Sequence, residues 1–252
     1  MISRYINRHA GFTLIELLLS VSIVAILVSL AVPGIMQARA TTRRAACQAN
    51  LRQWALAVTM YADAHRGRLP YRGQGAQPTS RLDAVDDWFN AIPQFMESAP
   101  YIDLVRAGTR PKPGEASVWI CPEARSINEL QGSELATSTI TQTNANVFFS
   151  YGMNMALSTP FMRRPDHIER VGPKKSMVFM SEGYGPYCSV LPSTADFTPA
   201  ARHLGNTVNI AFLDGHVEAY QGEEIGCRVG DPQRPNVRWF PPNSLWPGPP
   251  GK

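Results

Sequence analysis

The sequence predicts an α+β protein in which one long N-terminal membrane-spanning helix packs, by its second half, against a small antiparallel β-sheet. Three observations support this. Residues 12–36 form an apolar run with a single ionisable side chain. Beyond it, apolar residues recur at helical spacing. Near the C-terminus, residues 208–220 read as two alternating strands joined by Asp-Gly, a strong hairpin signal.

The apolar run from Phe12 to Met36 is long enough to cross a bilayer. As a helix it extends roughly 37 Å at ~1.5 Å per residue, whereas the hydrocarbon core of a bilayer is about 30 Å thick. A secretory signal peptide has a shorter apolar region of about 7–15 residues, which ends in a small-residue cleavage site. Here the small residue, Gly11, precedes the run. We therefore expect an anchoring helix.

Glu16 is the ionisable side chain inside this run. A carboxylate within a membrane helix is costly and is normally retained for a function. If the chain is cut between Gly11 and Phe12, Glu16 lies four residues from a new positive amine. The Glu16 of one subunit could then neutralise the Phe12 amine of its neighbour. The alternative is a Glu near the helix end that snorkels to the interface.

The start of the chain resembles the type IV prepilin signature, with a basic leader, Gly11, and then Phe-Thr-Leu-Ile-Glu ahead of an apolar stretch. The resemblance implies that prepilin peptidase cleaves after Gly11 and methylates the Phe12 amine. It implies a pilin-like fold and an assembly role for Phe12 and Glu16. Its expected partners are the lipid bilayer, other pilin or pseudopilin subunits, and an inner-membrane assembly platform.

Membrane orientation follows from the same signature. The arginines beyond the apolar run outnumber the two in the leader, so a positive-inside count alone favours the opposite topology. We give the prepilin leader more weight than that count, and we expect a single-pass inner-membrane protein whose C-terminal domain is periplasmic. The expected segments are a leader at 1–11, a transmembrane, filament-core helix at 12–36, an extracytoplasmic domain at 37–227 and a Pro-rich irregular tail at 228–252.

The helix is expected to continue to about residue 65, loosened at Pro33. Its stripe in the globular domain consists of Cys47, Leu51, Trp54, Val58 and Tyr61. Short strands are expected at 118–121, 147–151 and 176–180. In the hairpin, a two-residue Asp214-Gly215 loop pairs Phe212 with Val217. The resulting apolar face, with Val208 and Ile210, is predicted to pack on the helix.

A metal site could form if His203, Asp214 and His216 gather at one end of the hairpin. We favour the simpler interpretation, in which Asp214 only forms the turn and the two histidines are surface residues near it. No metal ligand is therefore predicted. Related pseudopilins bind calcium through a C-terminal loop, so the resemblance leaves calcium open as a cofactor without assigning its ligands.

The four cysteines are too far apart in sequence for a C-x-x-C zinc or redox motif. In an extracytoplasmic domain they could form two disulfides with three connectivities. Cys47 lies on the buried stripe and Cys121 ends a strand expected to pack on it, whereas Cys188 and Cys227 flank the hairpin. The positions favour Cys47–Cys121 and Cys188–Cys227, with buried free thiols as the alternative.

Charge and motifs argue against nucleic-acid binding and catalysis. Without the leader, the 24 basic side chains fall to 22 against 20 acidic ones, which leaves a charge of only +2. The sequence has no G-x-S-x-G, phosphate-binding glycine loop or H-E-x-x-H. We therefore expect neither a nucleic-acid-binding protein nor an enzyme.

The segments WICPEA, SYGMN and RHLGNTVNIAFLDGHV resemble those of prepilin-like proteins related to the type II secretion pseudopilin G. Those proteins carry a His, nine residues and then Asp-Gly, whereas ten residues separate His203 from Asp214 here. The resemblance implies a structural subunit of a type II secretion-like pseudopilus. The alternative is a type IV minor pilin or membrane-anchored surface module whose loops at 71–117 and 123–146 capture a ligand, a surface or DNA.

Overall fold

The computed structural model describes residues 13–73, 82–124, 148–158, 167–183, 188–190, 200–222, 224–225 and 234–242. The chain divides into two compact units, Met1–Thr42 and Arg43–Lys252. Helix α1, Leu14–Ala64, supplies residues to both units. The predicted long helix is thus observed over nearly its whole expected length. Pro33 lies inside α1, which remains helical there.

The first unit presents apolar side chains to its surroundings. Every described side chain from Leu14 to Met36 is exposed. Within the described residues, α1 is the one helix long and apolar enough to cross a membrane. Its serine hydroxyls donate hydrogen bonds to carbonyls of the same helix. Ser20 Oγ donates to Leu17 O at 2.8 Å, and Ser22 Oγ donates to Leu18 O at 2.7 Å. These bonds satisfy the hydroxyls without water, as a lipid environment requires.

In the second unit, the other half of α1 is buried on one side, as the stripe predicts. Its buried residues are Cys47, Leu51, Trp54, Ala55, Ala57, Val58, Tyr61 and Ala62. Trp54 meets two further indoles edge to face, Trp88 at 5.1 Å and Trp119 at 4.8 Å between ring centroids. Each such aromatic pair contributes about 0.5–1.5 kcal/mol to stability beyond the contribution of the apolar area that it buries. The indoles therefore form the centre of the main core.

Among the described residues, the sheet of the second unit has five strands in the order β3-β1-β2-β4-β5. Their bounds are β1 Tyr151–Asn154, β2 Val178–Glu182, β3 Ser189–Val190, β4 Thr207–Phe212 and β5 Val217–Gln221. The pairs β1–β2, β2–β4 and β4–β5 are antiparallel, as predicted. The pair β1–β3 is parallel, so the sheet is mixed and the expected purely antiparallel sheet is corrected.

In the part of the chain that the structure describes, the short helices are α2, Trp88–Ala91, and α3, Tyr101–Arg106, with 3₁₀ turns at Pro93–Met96 and Met155–Leu157. Pro93 begins the first of these 3₁₀ turns, just after the end of α2.

The strand predicted at 118–121 is wrong. That segment is a tight turn closed by a single bridge between Ser117 and Ile120. Side chains of α1 bind its carbonyls, since Trp54 Nε1 donates to Val118 O at 3.0 Å and Asn50 donates to Ser117 O at 3.0 Å. Carbonyls bound in this way are not available to a neighbouring strand, and the apolar residues are held against the helix instead.

The hairpin is where the sequence predicts it, but its loop is longer by one residue. Ala211 pairs with Val217, and Phe212 N donates to His216 O at 3.0 Å. The loop is therefore Leu213-Asp214-Gly215, in which Gly215 has a φ of +93°. Asp214 is not among the residues with positive φ, which a type I′ turn requires. The two-residue loop and the pairing of Phe212 with Val217 are thus wrong.

The faces of β4 are also reversed relative to the prediction. Val208, Ile210 and Phe212 pack in a second core cluster with Val237 and Trp239, which come from the Pro-rich segment. The opposite face carries Asn209, Ala211 and Leu213, of which the last two belong to the cluster that contains the buried half of α1. Strand β4 is therefore buried on both faces.

We predict that Gly215→Val lowers the free energy of unfolding by about 1 kcal/mol or more, because a β-branched residue is strained at a φ of +93°. A Cβ at this position would lie 3.5 Å from Leu56 Cδ2, an ordinary contact, so the backbone is the cause. The matched control is Gly215→Asn, since Asn tolerates positive φ better than Val. Urea unfolding followed by tryptophan fluorescence measures both. Equal midpoints for the Val and Asn variants would contradict this account of the turn.

Candidate functional site

The N-terminus of α1 carries a reciprocal set of hydrogen bonds between Thr13 and Glu16. The backbone N–H of Thr13 donates to Glu16 Oε2 at 2.9 Å, and the Thr13 hydroxyl donates to the same oxygen at 2.7 Å. Glu16 N in turn donates to Thr13 Oγ1 at 3.3 Å. This is a capping box, which satisfies donors that a helix N-terminus leaves unpaired. Gly11 and Phe12, the predicted processing residues, lie outside the described residues.

A second polar site lies buried in the globular unit. Four side chains with metal-ligating atoms meet there, from α1, the turn after Trp119, the end of β2 and the segment before β4. Their sulfur, nitrogen and oxygen atoms all lie within 4.8 Å of one another. No other part of the described chain gathers three or more such side chains. The four residues are Cys47, Cys121, Glu182 and His203, which we call the C2HE cluster.

The C2HE cluster is closed to solvent. The cysteines and Glu182 have no exposed surface, and His203 is 4% exposed. A carboxylate in such a position is costly unless its oxygens are paired. The cluster therefore requires a specific arrangement of partners around Glu182.

Strand pairing positions Glu182 at the end of β2, beside β4. Its Oε2 accepts the backbone N–H of Asn209 at 2.8 Å, and its Oε1 accepts the side-chain amide of the same residue at 2.9 Å. His203 Nε2 approaches Oε1 at 2.5 Å, and Cys47 Sγ approaches it at 2.7 Å. The other ring nitrogen of His203 is buried and has no hydrogen-bond partner within the described residues. The polar contacts of the His203 ring in the described residues are therefore made by Nε2.

The two thiols are positioned by different neighbours. Cys47 Sγ lies 3.1 Å from Tyr151 Oη, on strand β1. Cys121 is fixed through its backbone N–H, which donates to Ser150 Oγ at 2.6 Å. Its Sγ lies 3.6 Å from both His203 Nε2 and Glu182 Oε1. Two adjacent residues at the start of β1, Ser150 and Tyr151, thus contact the two cysteines.

The electrostatics of the cluster favour an ionised carboxylate. Burial opposes the charge on Glu182, yet the hydrogen bond and positive charge of His203 hold its pKa below the usual value. Burial likewise acts to lower the pKa of His203, but its bonds to Cys121 and Glu182 raise it to about 9. Burial raises the pKa of Cys121, whereas bonds from Cys47 and His203 bring it down to about 7. Burial raises the pKa of Cys47 well above its ordinary value.

The histidines and Asp214 are not gathered at one end of the hairpin. Asp214 Oδ1 bonds His216 Nδ1 at the exposed turn. His203 lies at the other end of β4, which is roughly 17 Å long at about 3.3 Å per residue. The expectation that His203 is a surface residue is wrong, because the side chain is buried against Glu182.

The structure brings Cys47 and Cys121 together as thiols, not as the expected disulfide. Cys188 is buried elsewhere, with its Sγ 3.6 Å from Arg72 O. Cys227 lies outside the described residues, so the pairing Cys188–Cys227 stays a prediction.

Glu182 is the member of the cluster that sequence reasoning missed. It is the last residue of β2 and of the apolar run SMVFMSE, and a glutamate inside a buried strand is unusual. That position was the available signal. The sequence does not reveal that β2 lies next to β4, and this neighbourhood is what brings His203 and Asn209 to Glu182.

We predict that Glu182→Ala lowers the free energy of unfolding by about 3–5 kcal/mol, because it removes one partner of a buried ion pair and leaves His203 buried without its carboxylate. The control is Glu224→Ala, at an exposed position, which should change the urea midpoint little. Similar midpoints for the two variants would show that the carboxylate is not a structural centre.

Two family matches cover most of the chain. Residues 6–32 match the prokaryotic N-terminal methylation motif. Residues 36–177, more than half of the chain, match a family described as protein of unknown function DUF1559. No curated protein and no solved structure matches the chain. The N-terminal match includes the leader junction and Glu16, which identifies the start of the chain as type IV pilin-like. The chain therefore belongs to the DUF1559 family and is a prepilin-like protein.

Proposed function

We propose that this protein is a structural subunit of a type II secretion-like pseudopilus, which assembles through α1 after prepilin peptidase has removed residues 1–11. The observation that carries the proposal is the methylation motif at residues 6–32, placed directly on an exposed apolar helix. In this role the protein binds other subunits and catalyses no reaction.

The first unit supports assembly in a lipid or helix-lined environment. Its exposed apolar side chains need a cover, and its serine hydroxyls are already bonded to helix carbonyls. Glu16 is then the one ionisable side chain left between residues 12 and 36. A charge of this kind is retained in a membrane helix when it has a specific partner.

The partner we propose for Glu16 is the Phe12 amine of a neighbouring subunit. Cleavage after Gly11 would create this amine next to Thr13, which already binds the Glu16 carboxylate. Glu16 then has two separable roles. Its oxygen caps α1 within the subunit, and its negative charge sets the register between subunits.

The remaining assignments follow from this proposal. The anchor at 12–36 would hold the chain in the inner membrane, with residues 37–227 and the tail at 228–252 in the periplasm. The globular units would form the outer surface of the filament, docked on an inner-membrane assembly platform.

A minor pilin that binds a ligand is the second candidate. It is favoured by an open cavity of about 590 Å³ near the end of α1. Basic, acidic and aromatic side chains line it, namely Tyr61, His65, Arg66, Arg68, Tyr71 and Asp86. Deletion of the gene separates the candidates, since lost secretion of exported proteins supports the pseudopilus and lost surface filaments support the pilus.

The decisive experiment compares Glu16→Val with Glu16→Gln, each co-expressed with a prepilin peptidase. Glu16→Val removes the charge and the cap, whereas Gln keeps a capping side chain without the charge. Both chains should be processed, because cleavage depends on Gly11. Both should assemble roughly a hundredfold or more weakly than the wild type, since each leaves the Phe12 amine unpaired at the subunit contact. Chain size and crosslinking measure the two steps.

Two controls complete this test. Gly11→Val should leave a full-length precursor. Thr13→Ala removes the hydroxyl of the cap but keeps the charge, and should still assemble. Normal filaments from Glu16→Gln would show that Glu16 acts only as a cap, and would remove the proposed contact between subunits.

A further inference from the structure

We propose that the C2HE cluster is a structural Zn²⁺ site in which the metal is held by Cys47 Sγ, Cys121 Sγ, His203 Nε2 and Glu182 Oε1. This goes beyond the filament role and does not depend on it, since every ligand belongs to the globular unit.

The ligand set suits zinc. Thiolate, imidazole and carboxylate are its three protein ligand types, and four of them in a tetrahedron make a typical structural site. Calcium and magnesium prefer sites built from oxygen alone. Two sulfurs and one nitrogen among four ligands therefore favour Zn²⁺ over the calcium that the pseudopilin resemblance allows.

The spacing fits a tetrahedron after small movements. With Zn–S bonds near 2.3 Å and Zn–N and Zn–O bonds near 2.1 Å, ligand atoms lie about 3.3–3.8 Å apart. Cys121 Sγ is 3.6 Å from both His203 Nε2 and Glu182 Oε1. The contacts of Glu182 Oε1 with His203 Nε2 and Cys47 Sγ are shorter, at 2.5 and 2.7 Å. Glu182 Oε1 would have to move about 1 Å away from both atoms to reach these tetrahedral separations.

The hydrogen-bond count at Glu182 Oε1 also points to a cation. Four potential donors approach this single oxygen, two sulfurs and two nitrogens, which belong to Cys47, Cys121, His203 and Asn209. A carboxylate oxygen accepts about two hydrogen bonds. If a metal lies among them, Cys47, Cys121 and His203 bind the metal and no longer donate to the oxygen. The oxygen then contacts only Asn209 and the metal.

The charges and protons balance. On binding, the thiols of Cys47 and Cys121 and the imidazolium of His203 each release a proton, and Nε2 of the resulting neutral imidazole donates its lone pair. Two thiolates, one carboxylate and Zn²⁺ sum to a charge of −1. The Arg202 guanidinium lies close enough for its positive charge to act on Cys121 and Glu182. The closed, four-ligand arrangement leaves no position for substrate, which indicates a structural role.

Groups outside the ligand set hold the ligands in place. Tyr151 Oη contacts Cys47 Sγ at 3.1 Å, and Asn50 Nδ2 contacts Tyr151 Oη at 3.2 Å. Asn209 binds both oxygens of Glu182. Metal sites rely on such supporting bonds, and their loss typically weakens metal affinity about 10–100-fold.

A disulfide between Cys47 and Cys121 is the competing use of the same two sulfurs. Either use would tie α1 to the turn after Trp119, but the metal also recruits Glu182 and His203. Because both sulfurs cannot be thiolate ligands while bonded to each other, the two states exclude one another. A chain that holds the metal should therefore contain no Cys47–Cys121 disulfide, and a chain with that disulfide should hold no metal.

The test measures zinc in the full-length chain, purified in detergent, reduced, incubated with ZnCl₂ and dialysed. We expect about one zinc per chain. Cys121→Ser and His203→Gln should each lower the zinc content at least tenfold. Cys188→Ser is the matched control, because it replaces a buried cysteine outside the cluster, and it should retain the metal.

Two further measurements do not depend on disruptive variants. Co²⁺ added to the wild-type chain should give the visible bands of tetrahedral cobalt and a near-ultraviolet thiolate-to-cobalt band. Tyr151→Phe, which removes one oxygen beside Cys47, should weaken zinc affinity about 10–100-fold.

Three outcomes would overturn the site. They are a wild-type chain that retains no zinc and shows no thiolate–cobalt band, zinc that persists in Cys121→Ser, and recovery of a Cys47–Cys121 disulfide from metal-free protein purified from its native compartment. If the ligand variants fail to fold, the cobalt spectrum of the wild-type chain decides alone.

Discussion

The burial of Glu182 is the constraint on which the globular unit depends. Its carboxylate has no exposed surface, so the fold must bring it donors from several elements. Strand β4 contributes Asn209, α1 contributes Cys47, and the segment before β4 contributes His203. The same contacts that satisfy the charge therefore fix the helix against the sheet. A slip of any one element would leave a polar group buried without its partner.

The sequence predicts the parts of this structure that local patterns encode. The stripe from Cys47 to Tyr61 identifies the packed half of α1 because helical periodicity is a local property. The hairpin position follows from Asp-Gly, yet its loop length does not, since Asp-Gly also fits a three-residue loop with Gly215 at positive φ. The strand order is a tertiary property, so the meeting of Glu182 with His203 could not be predicted.

The failed strand at residues 118–121 shows the same limit. Its apolar residues are compatible with a strand and with a buried turn. Which of the two forms depends on the groups that bind the backbone of the segment. Here Trp54 and Asn50 of α1 supply those groups. For the N-terminal site, the sequence indicates Glu16 but not its bonds to Thr13, although Thr-x-x-Glu is a recognisable capping pattern.

Because β4 is buried on both faces, the number of residues between His203 and Asp214 is constrained. Side chains alternate along a strand, so one extra residue within β4 would exchange Asn209 with its apolar neighbours and remove it from Glu182. Before the strand, an insertion can be absorbed where the chain turns, at Gly205 and Asn206, which both have positive φ. Natural variation in this spacer should therefore fall in the turns on either side of β4, while β4 keeps a fixed number of residues.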